Sequence, residues 1–439
     1  MTLDVSSVTP AQWGDQNFAK AALNRMAGGL SGSAILKIAA EITAMQAAGR
    51  DICNLTVGDF DPKQFGVPQK LADEVGKAYA AGETNYPPAV GLPGTRRAVR
   101  DLYERRLGLN YPVDSVVMGS GARPPIFATY GLVVQPGDKV LYGIPSWNNH
   151  YYCHINGGEV IGIETTADTD FLLHSRHLEG ELDGVTLICL NSPLNPCGTA
   201  YGEEALGRLC DVILAENDRR KVTSARPVMV MYDQVYWMLC YGDVEHVTPP
   251  GVRPAMAAYT IFVDAISKSF AATGVRVGWA VVPPGLTGAY KALIGHMGAW
   301  APRPEQLATE ALLDDEDAIR TYHATMKVGL EARLNALHDG FEAMHAAGLP
   351  VRSIAPQGAI YLSVRFDILG ASAGDYSFAT DEDIRGYLLN EAGIGIVPFG
   401  AFGLTEDAGW MRLSVGAVSL DAIAAGLVRI EAALRNVVR

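Results

Sequence analysis

Cysteine is scarce and scattered in this chain: six thiols (Cys53, Cys153, Cys189, Cys197, Cys210 and Cys240) occur in 439 residues, with no CxxC pair and no ladder of short spacings. That pattern argues against a disulfide-stapled domain and suits the reducing cytoplasm. Basic charge is also in deficit. With 35 Lys and Arg against 48 Asp and Glu, the net charge is −13, which leaves no electrostatic footprint for nucleic acid or an anionic membrane surface. No apolar run approaches the roughly 20 residues of a membrane-spanning helix. The N-terminal MTLDVSSVTPAQWGDQ has no basic cluster leading into an apolar core, so no secretory signal is expected. The nine histidines are dispersed, and the nearest pair, His174 and His177, has no cysteine partner, so no metal site is expected. What remains is a globular composition, 49% hydrophobic and 19% charged, long enough for two domains.

Between about residue 115 and residue 282 short β-branched runs recur: SVVMG, KVLYGI, EVIGIET, VTLICL, PVMVMY, TIFVDAI and RVGWAVV. They read as seven buried strands. Several are apolar throughout and are separated by stretches long enough for helices, which predicts an α/β fold with a mostly parallel sheet covered on both faces. Beyond residue 310 the period changes. Ile319, Tyr322, Met326, Leu330, Leu334, Leu337, Phe341 and Met344 recur at three- and four-residue steps, the signature of one long amphipathic helix. Asp314, Asp315, Glu316 and Asp317 stand at its start, where carboxylates complement the helix dipole, and Gly348 follows its end. The expected division is an N-terminal segment, residues 1–60, joined to a small α+β domain of residues 316–439, with a large domain of residues 61–315 between them. The small domain would carry the strand-like AIYLSVRF and WMRLSVG.

Ligands of open α/β sheets bind at the carboxyl ends of the strands, and there the distinctive residues fall. Lys268 follows the apolar IFVDAI, with Arg276 eight residues on. A buried amine crowded by cations loses its proton and can bond an aldehyde, while an arginine beside it can bind a phosphate; together they suit pyridoxal phosphate. After SVVMG comes SGARPP, where Gly121, Ala122 and Arg123 precede prolines suited to a first helical turn, so their N–H groups can face an anion. A plain loop is the other reading. After KVLYGI, Trp147 can lie against a heteroaromatic ring or simply pack. After VTLICL, two prolines stiffen the loop carrying Asn191 and Asn195; Asn195 can donate to a phenolate oxygen or cap the next helix. After PVMVMY come Asp233 and Tyr236. A carboxylate at that depth needs a cation, either a pyridine nitrogen it keeps protonated or an arginine elsewhere.

In these motifs, with NLTVGDFDP, NYPPAVGLPGTRRAV, SPLNPCGT, YDQVY, SKSFAATGVRVGW, APQGAIYL, PFGAFG and MRLSVG, the chain resembles the class I/II aminotransferases over residues 30 to 430. These are fold-type I enzymes using pyridoxal 5'-phosphate. The resemblance implies that Lys268 is the Schiff-base lysine and proton carrier, that Asp233 pairs with the pyridine nitrogen, and that Asn195 and Tyr236 bind the ring oxygen. It implies that Trp147 stacks on the ring, that Arg276 and the Gly121-Ala122-Arg123 turn hold the phosphate, and that Tyr86 reaches it from the other subunit of a homodimer. Arg412 matches the arginine gripping the substrate's α-carboxylate, with Gly58 in close backbone contact. Cis peptides are implied at Ile144-Pro145 and Asn195-Pro196. The chain departs from the common pattern at Cys197, usually threonine, at Phe399, often glycine, and at Ala265, often a phosphate-contacting serine.

The implied reaction is ping-pong transfer of an amino group from an L-amino acid to a 2-oxo acid. Arg123 and Arg303 are candidates to read a side-chain carboxylate, favouring aspartate or glutamate as donor; Trp147, Trp300 and Tyr86 leave an aromatic substrate open. A lyase on the same fold would release pyruvate and ammonia without an acceptor. A transcription regulator with a domain of this kind needs a DNA-binding module, for which the thirty residues before the resemblance are too few.

Overall fold

A computed structural model of the protein describes Asp4, residues 16–32 and residues 34–438. Apart from Asp4 and Gln16, the N-terminal stretch read for a secretory signal lies outside the described residues. Strand β1 (Cys53–Asn54) is followed by the strands of a seven-stranded sheet: β2 (Val116–Gly119), β3 (Lys139–Ile144), β4 (Glu159–Glu164), β5 (Val185–Asn191), β6 (Met229–Asp233), β7 (Thr260–Ala265) and β8 (Gly278–Val281). Their order is β2-β8-β7-β6-β5-β3-β4, and all neighbours are parallel except β8, which runs against both β2 and β7.

Adjacent residues of the central strands enter different cores because both faces are covered. Ile188, Leu190, Val230 and Phe262 pack with the helices Pro93–Leu107 and Glu203–Val222. Their neighbours Leu187, Cys189, Met231 and Val263 pack with the helices Arg123–Val133 and Thr287–Met297. One of the seven expected buried strands differs. EVIGIE is the edge strand β4, bonded only to β3, and its side chains are half-buried or exposed, Val160 among them. With no second strand beside it, β4 leaves its side chains partly open to solvent.

On β7, Asp264 is 1% exposed and its carboxylate accepts from the Tyr103 O–H at 3.2 Å, Trp237 Nε1 at 2.8 Å and the Ala265 N–H at 2.7 Å. Gln234 Nε2 and Trp279 Nε1 donate in turn to the Tyr103 oxygen. This buried knot ties β6, β7 and β8 together directly behind the ends of β6 and β7. Asp264→Ala strands two side-chain donors, at about 1–3 kcal/mol each. The expected loss of unfolding free energy is roughly 2–5 kcal/mol, read from urea unfolding. A loss under about 1 kcal/mol would remove the knot from the account of stability.

The long helix spans Glu316–Ala346, with the Asp315 side chain accepting from the Ala318 N–H at 2.9 Å. Its seven buried residues are all in the expected stripe, whose remaining member, Tyr322, is half-buried. Beyond it lie β9 (Val351–Ser353), β10 (Tyr361–Phe366), the hairpin β11 (Ser372–Ala373) and β12 (Tyr376–Ser377), then β13 (Ile394–Gly395), β14 (Val397–Pro398) and β15 (Trp410–Ser414). The antiparallel order β14-β15-β10-β9 forms a second sheet. Strand β1 pairs with β13, so the chain before the large sheet joins the chain after it. Among the described residues no helix is long and apolar enough to cross a membrane.

Candidate active site

A cleft of about 430 Å³ opens at the carboxyl ends of β5 and β6, between the large sheet and β10 and β15. Gly58, Ala122, Arg123, Trp147, Asn195, Asp233, Tyr236, Lys268, Arg276 and Arg412 all line it. Topology gathers them. Parallel strands deliver Asn195, Asp233 and Lys268 to one edge, and the reversed β8 brings Arg276, just before its first residue, to the same edge.

Lys268 lies in the short helix Ile266–Ser269, and its Nζ donates to the Gly58 carbonyl at 2.6 Å. Burial, and then the Arg412, Arg276 and Arg123 charges, lower its amine to about 8 against the opposing pull of Asp59. The neutral fraction at neutral pH is therefore far larger than that of an ordinary lysine. Asp233 ends β6, where burial pushes its carboxyl up to about 7. Among the described residues no arginine pairs with it, and its carboxylate accepts only the Val235 N–H, at 3.3 Å. The alternative of an arginine partner is therefore not met, and the carboxylate faces the cleft ready for a cationic ring nitrogen.

The cationic side is equally unpaired. Arg412, on β15, is 1% exposed and donates to the Thr56 carbonyl at 2.6 Å and to Asn195 Oδ1 at 3.3 Å, while its Nε has no partner. No carboxylate pairs with it among the described residues, an arrangement that favours an incoming anion. Among the described residues Arg276, at a left-handed φ of 64°, donates only to the carbonyls of Thr273 and Ser120, at 2.7 and 3.0 Å. The helix Arg123–Val133 begins beside it, with prolines in its first turn as expected. The Gly121 N–H is already donated to the Gly119 carbonyl, which leaves the amides of Ala122 and Arg123 at the helix start. Gly121 serves the site by close approach: at φ 80°, a Cβ on it would stand 2.3 Å from the Arg276 guanidinium.

Asn195 caps no helix; its N–H donates to Asn191 Oδ1 at 2.8 Å, and Asn191 Nδ2 donates to the Asp233 carbonyl at 2.8 Å, bracing the loop. The peptides before Pro145 and Pro196 are cis, as the resemblance implied, and so is the one before Pro193. Trp147 is half-buried, with the Arg123 guanidinium carbon 5.9 Å from its ring centre. Cys197 is buried and its thiol pushed well up, a packing role. Phe399 packs on Phe171 and Trp410, and Ala265 closes β7.

Two residues expected to act from a neighbouring subunit lie away from this cleft. Tyr86 is 84% exposed, edge-on to Trp300, and Arg303 heads its own helix in an ion pair with Glu83 at 2.5 Å. Neither lines the cleft of its own chain. Conversely, Tyr361, Asp59, Thr273 and the helix residues Ile35, Leu36 and Ala39 line it without having been singled out. Tyr361 was within reach, because APQGAIYL was already a motif; the helix carried no signal of what it would cover.

These residues fit pyridoxal phosphate: an unpaired buried carboxylate for the ring nitrogen, an amine held partly neutral, and a helix start beside an arginine for the phosphate. Comparisons agree. The chain is 29% identical over 404 residues to an aspartate aminotransferase of Geobacillus stearothermophilus, covering 92% of this chain and 96% of that one. It is 29% identical over 377 residues to a probable aspartate/prephenate aminotransferase of Rhizobium leguminosarum bv. phaseoli, covering 85% and 89%. The crystal structure of the aspartate aminotransferase from Rhizobium meliloti superposes with a TM-score of 0.86 at 27% identity, covering 95% of this chain and 99% of that one. The family model for aminotransferase class I and II matches residues 50–430, and the chain belongs to that family of pyridoxal phosphate-dependent enzymes.

Proposed function

We propose that this aminotransferase takes its amino group from an acidic L-amino acid, aspartate or glutamate, and gives it to a 2-oxo acid. The unpaired guanidinium groups facing one cleft carry the reading, because an acidic substrate brings two carboxylates to be neutralised. Bound there, pyridoxal phosphate supplies an aldehyde for the amine and a ring that accepts electrons. Lys268 moves the proton from the substrate's α-carbon. Asp233 keeps the ring nitrogen protonated, Asn195 and Tyr236 donate to the ring oxygen, and Trp147 lies against the ring. Ala122, Arg123 and Arg276 hold the phosphate, beside the close turn at Gly121. Arg412 grips the α-carboxylate over Gly58.

Arg123 is the nearer candidate for the side-chain carboxylate, since it lines the cleft and makes no ion pair among the described residues. Arg303 would have to act on a neighbouring subunit, as would Tyr86, whose exposed ring supports a homodimer with shared sites. The pairing of β1 with β13 supports the division into residues 1–60 and 316–439 around a large domain, residues 61–315. Six buried, unpaired thiols support a cytoplasmic location. The apolar wall of Ile35, Leu36 and Ala39 favours a second reading, an aromatic donor.

The deciding measurement is visible absorbance of the cofactor-loaded protein with aspartate and no acceptor. The band is expected to shift to shorter wavelength with stoichiometric release of oxaloacetate. Arg123→Gln is expected to cut kcat/KM for aspartate about 10- to 100-fold more than for phenylalanine, the effect of one charged hydrogen-bond partner. A donor panel in which acidic amino acids are inert would sink the acidic preference in favour of the aromatic one, and pyruvate and ammonia without acceptor would indicate a lyase.

A further inference from the structure

We propose that Tyr361 is a positioning residue that links Arg412 to Tyr236, so that an anion arriving at the guanidinium is felt at the tyrosine facing the cofactor's ring oxygen. The inference rests on the roles given above to Arg412 and Tyr236. Tyr361 opens β10, is 1% exposed and lines the cleft. Its hydroxyl oxygen is 2.7 Å from that of Tyr236, with the rings 5.6 Å apart and edge-on at 72°. On paired strands, Arg412 lies opposite Ser363, two residues from Tyr361, so the two side chains are diagonal neighbours on one face. The Arg412 guanidinium carbon lies 4.8 Å from the centre of the Tyr361 ring. Gly58 makes room: a Cβ there would stand 2.9 Å from the Tyr361 hydroxyl.

The direction of the chain follows from counting protons. Tyr236 has one hydroxyl proton. When that proton is donated to the ring oxygen, the close contact to Tyr361 is a hydrogen bond only if Tyr361 donates. A guanidinium over the Tyr361 ring withdraws electron density and makes its O–H the stronger donor, and hydrogen bonds in series polarise one another. Tyr236 then donates more strongly. A carboxylate bound at Arg412 offsets the cation's field and relaxes the chain. The other charged groups facing the pair are Asp233, at the end of β6, and Asp59, in the loop after β1; Lys268, Arg276 and Arg123 line the same cleft. All act alike on wild type and on a variant that loses only the Tyr361 hydroxyl.

Tyr361→Phe is that variant, since it keeps the ring beneath Arg412. The measurement is the pH midpoint of the visible absorbance band of cofactor-loaded protein, with and without saturating succinate, a dicarboxylate lacking amino and oxo groups. Stronger donation from Tyr236 stabilises negative charge on the ring oxygen and lets the chromophore lose its proton at lower pH. Tyr361→Phe is therefore expected to raise the midpoint by about 0.4–1 pH unit, the equivalent of one hydrogen bond. It should also shrink the upward shift that succinate causes in wild type by at least half. Equal midpoints and equal succinate shifts in the two proteins overturn the inference, as does a variant that only binds cofactor less well or unfolds earlier. A wild-type midpoint that ignores succinate breaks the link to Arg412. Wild-type protein without any visible band overturns the cofactor assignments themselves, and this inference with them.

Discussion

Lys268→Ala is expected to abolish turnover, by about 10⁴-fold or more, and to leave the fold intact. In the function proposed above, the variant removes the covalent anchor and the proton carrier in one step; general acid–base loss alone is worth about 10²–10⁴-fold. Nothing else in the cleft can replace it, because the other cations there, Arg123, Arg276 and Arg412, are guanidinium groups that keep their protons. The structural cost is small: the amine makes one hydrogen bond, to the Gly58 carbonyl, which Thr56 and Val57 hold in place through their own carbonyl contacts to Arg412 and Ser414. Single-turnover kinetics, circular dichroism and mass spectrometry after borohydride reduction form the test. Wild type should gain the cofactor's mass and the variant should not. In wild type the rate of cofactor capture by apo-protein should rise with pH around a midpoint near 8, as the amine loses its proton. A variant that still transaminates at the wild-type rate would remove Lys268 from the mechanism.

Asp233→Asn is expected to lower kcat by about 10²–10³-fold, on the scale seen when one preorganised charge or donor is lost from an active site. Asparagine keeps the shape and can still accept from the Val235 N–H, so packing at the end of β6 survives. What disappears is the negative charge. The carboxyl is already held near 7 by burial, so a cation opposite it is strongly favoured and its loss is felt fully in a dry site. Cofactor binding should persist through the phosphate contacts. A threefold change or less in kcat would mean that Asp233 does not face the ring nitrogen.

Much of this architecture is legible in the chain because the residues that make it are close in sequence or repeat with a period. Lys268 and Arg276 sit eight residues apart, and VTLICL carries apolar side chains on both faces, which only a covered strand tolerates. The long helix announces its stripe from Ile319 to Met344. What stays hidden depends on distant partners. EVIGIE has the same look as an interior strand, and only the strand order makes β4 an edge. The hydroxyls of Tyr236 and Tyr361 meet across 125 residues of chain. Arg303 looks like a free cation until Glu83, 220 residues away, is found beside it.

The reversal of β8 has a consequence for how this chain can vary. Ala265 and Gly278 are directly opposed across β7 and β8, so Lys268 and Arg276 hang from a single antiparallel hairpin. The spacing between the Lys268 amine and the Arg276 guanidinium is thereby set by a short closed loop of chain, pinned where the guanidinium meets the Thr273 and Ser120 carbonyls. One inserted residue there would shift one anchor against the other. Tolerance to insertion should therefore fall to its minimum in residues 266–277, a short segment whose sequence is constrained as much by length as by chemistry.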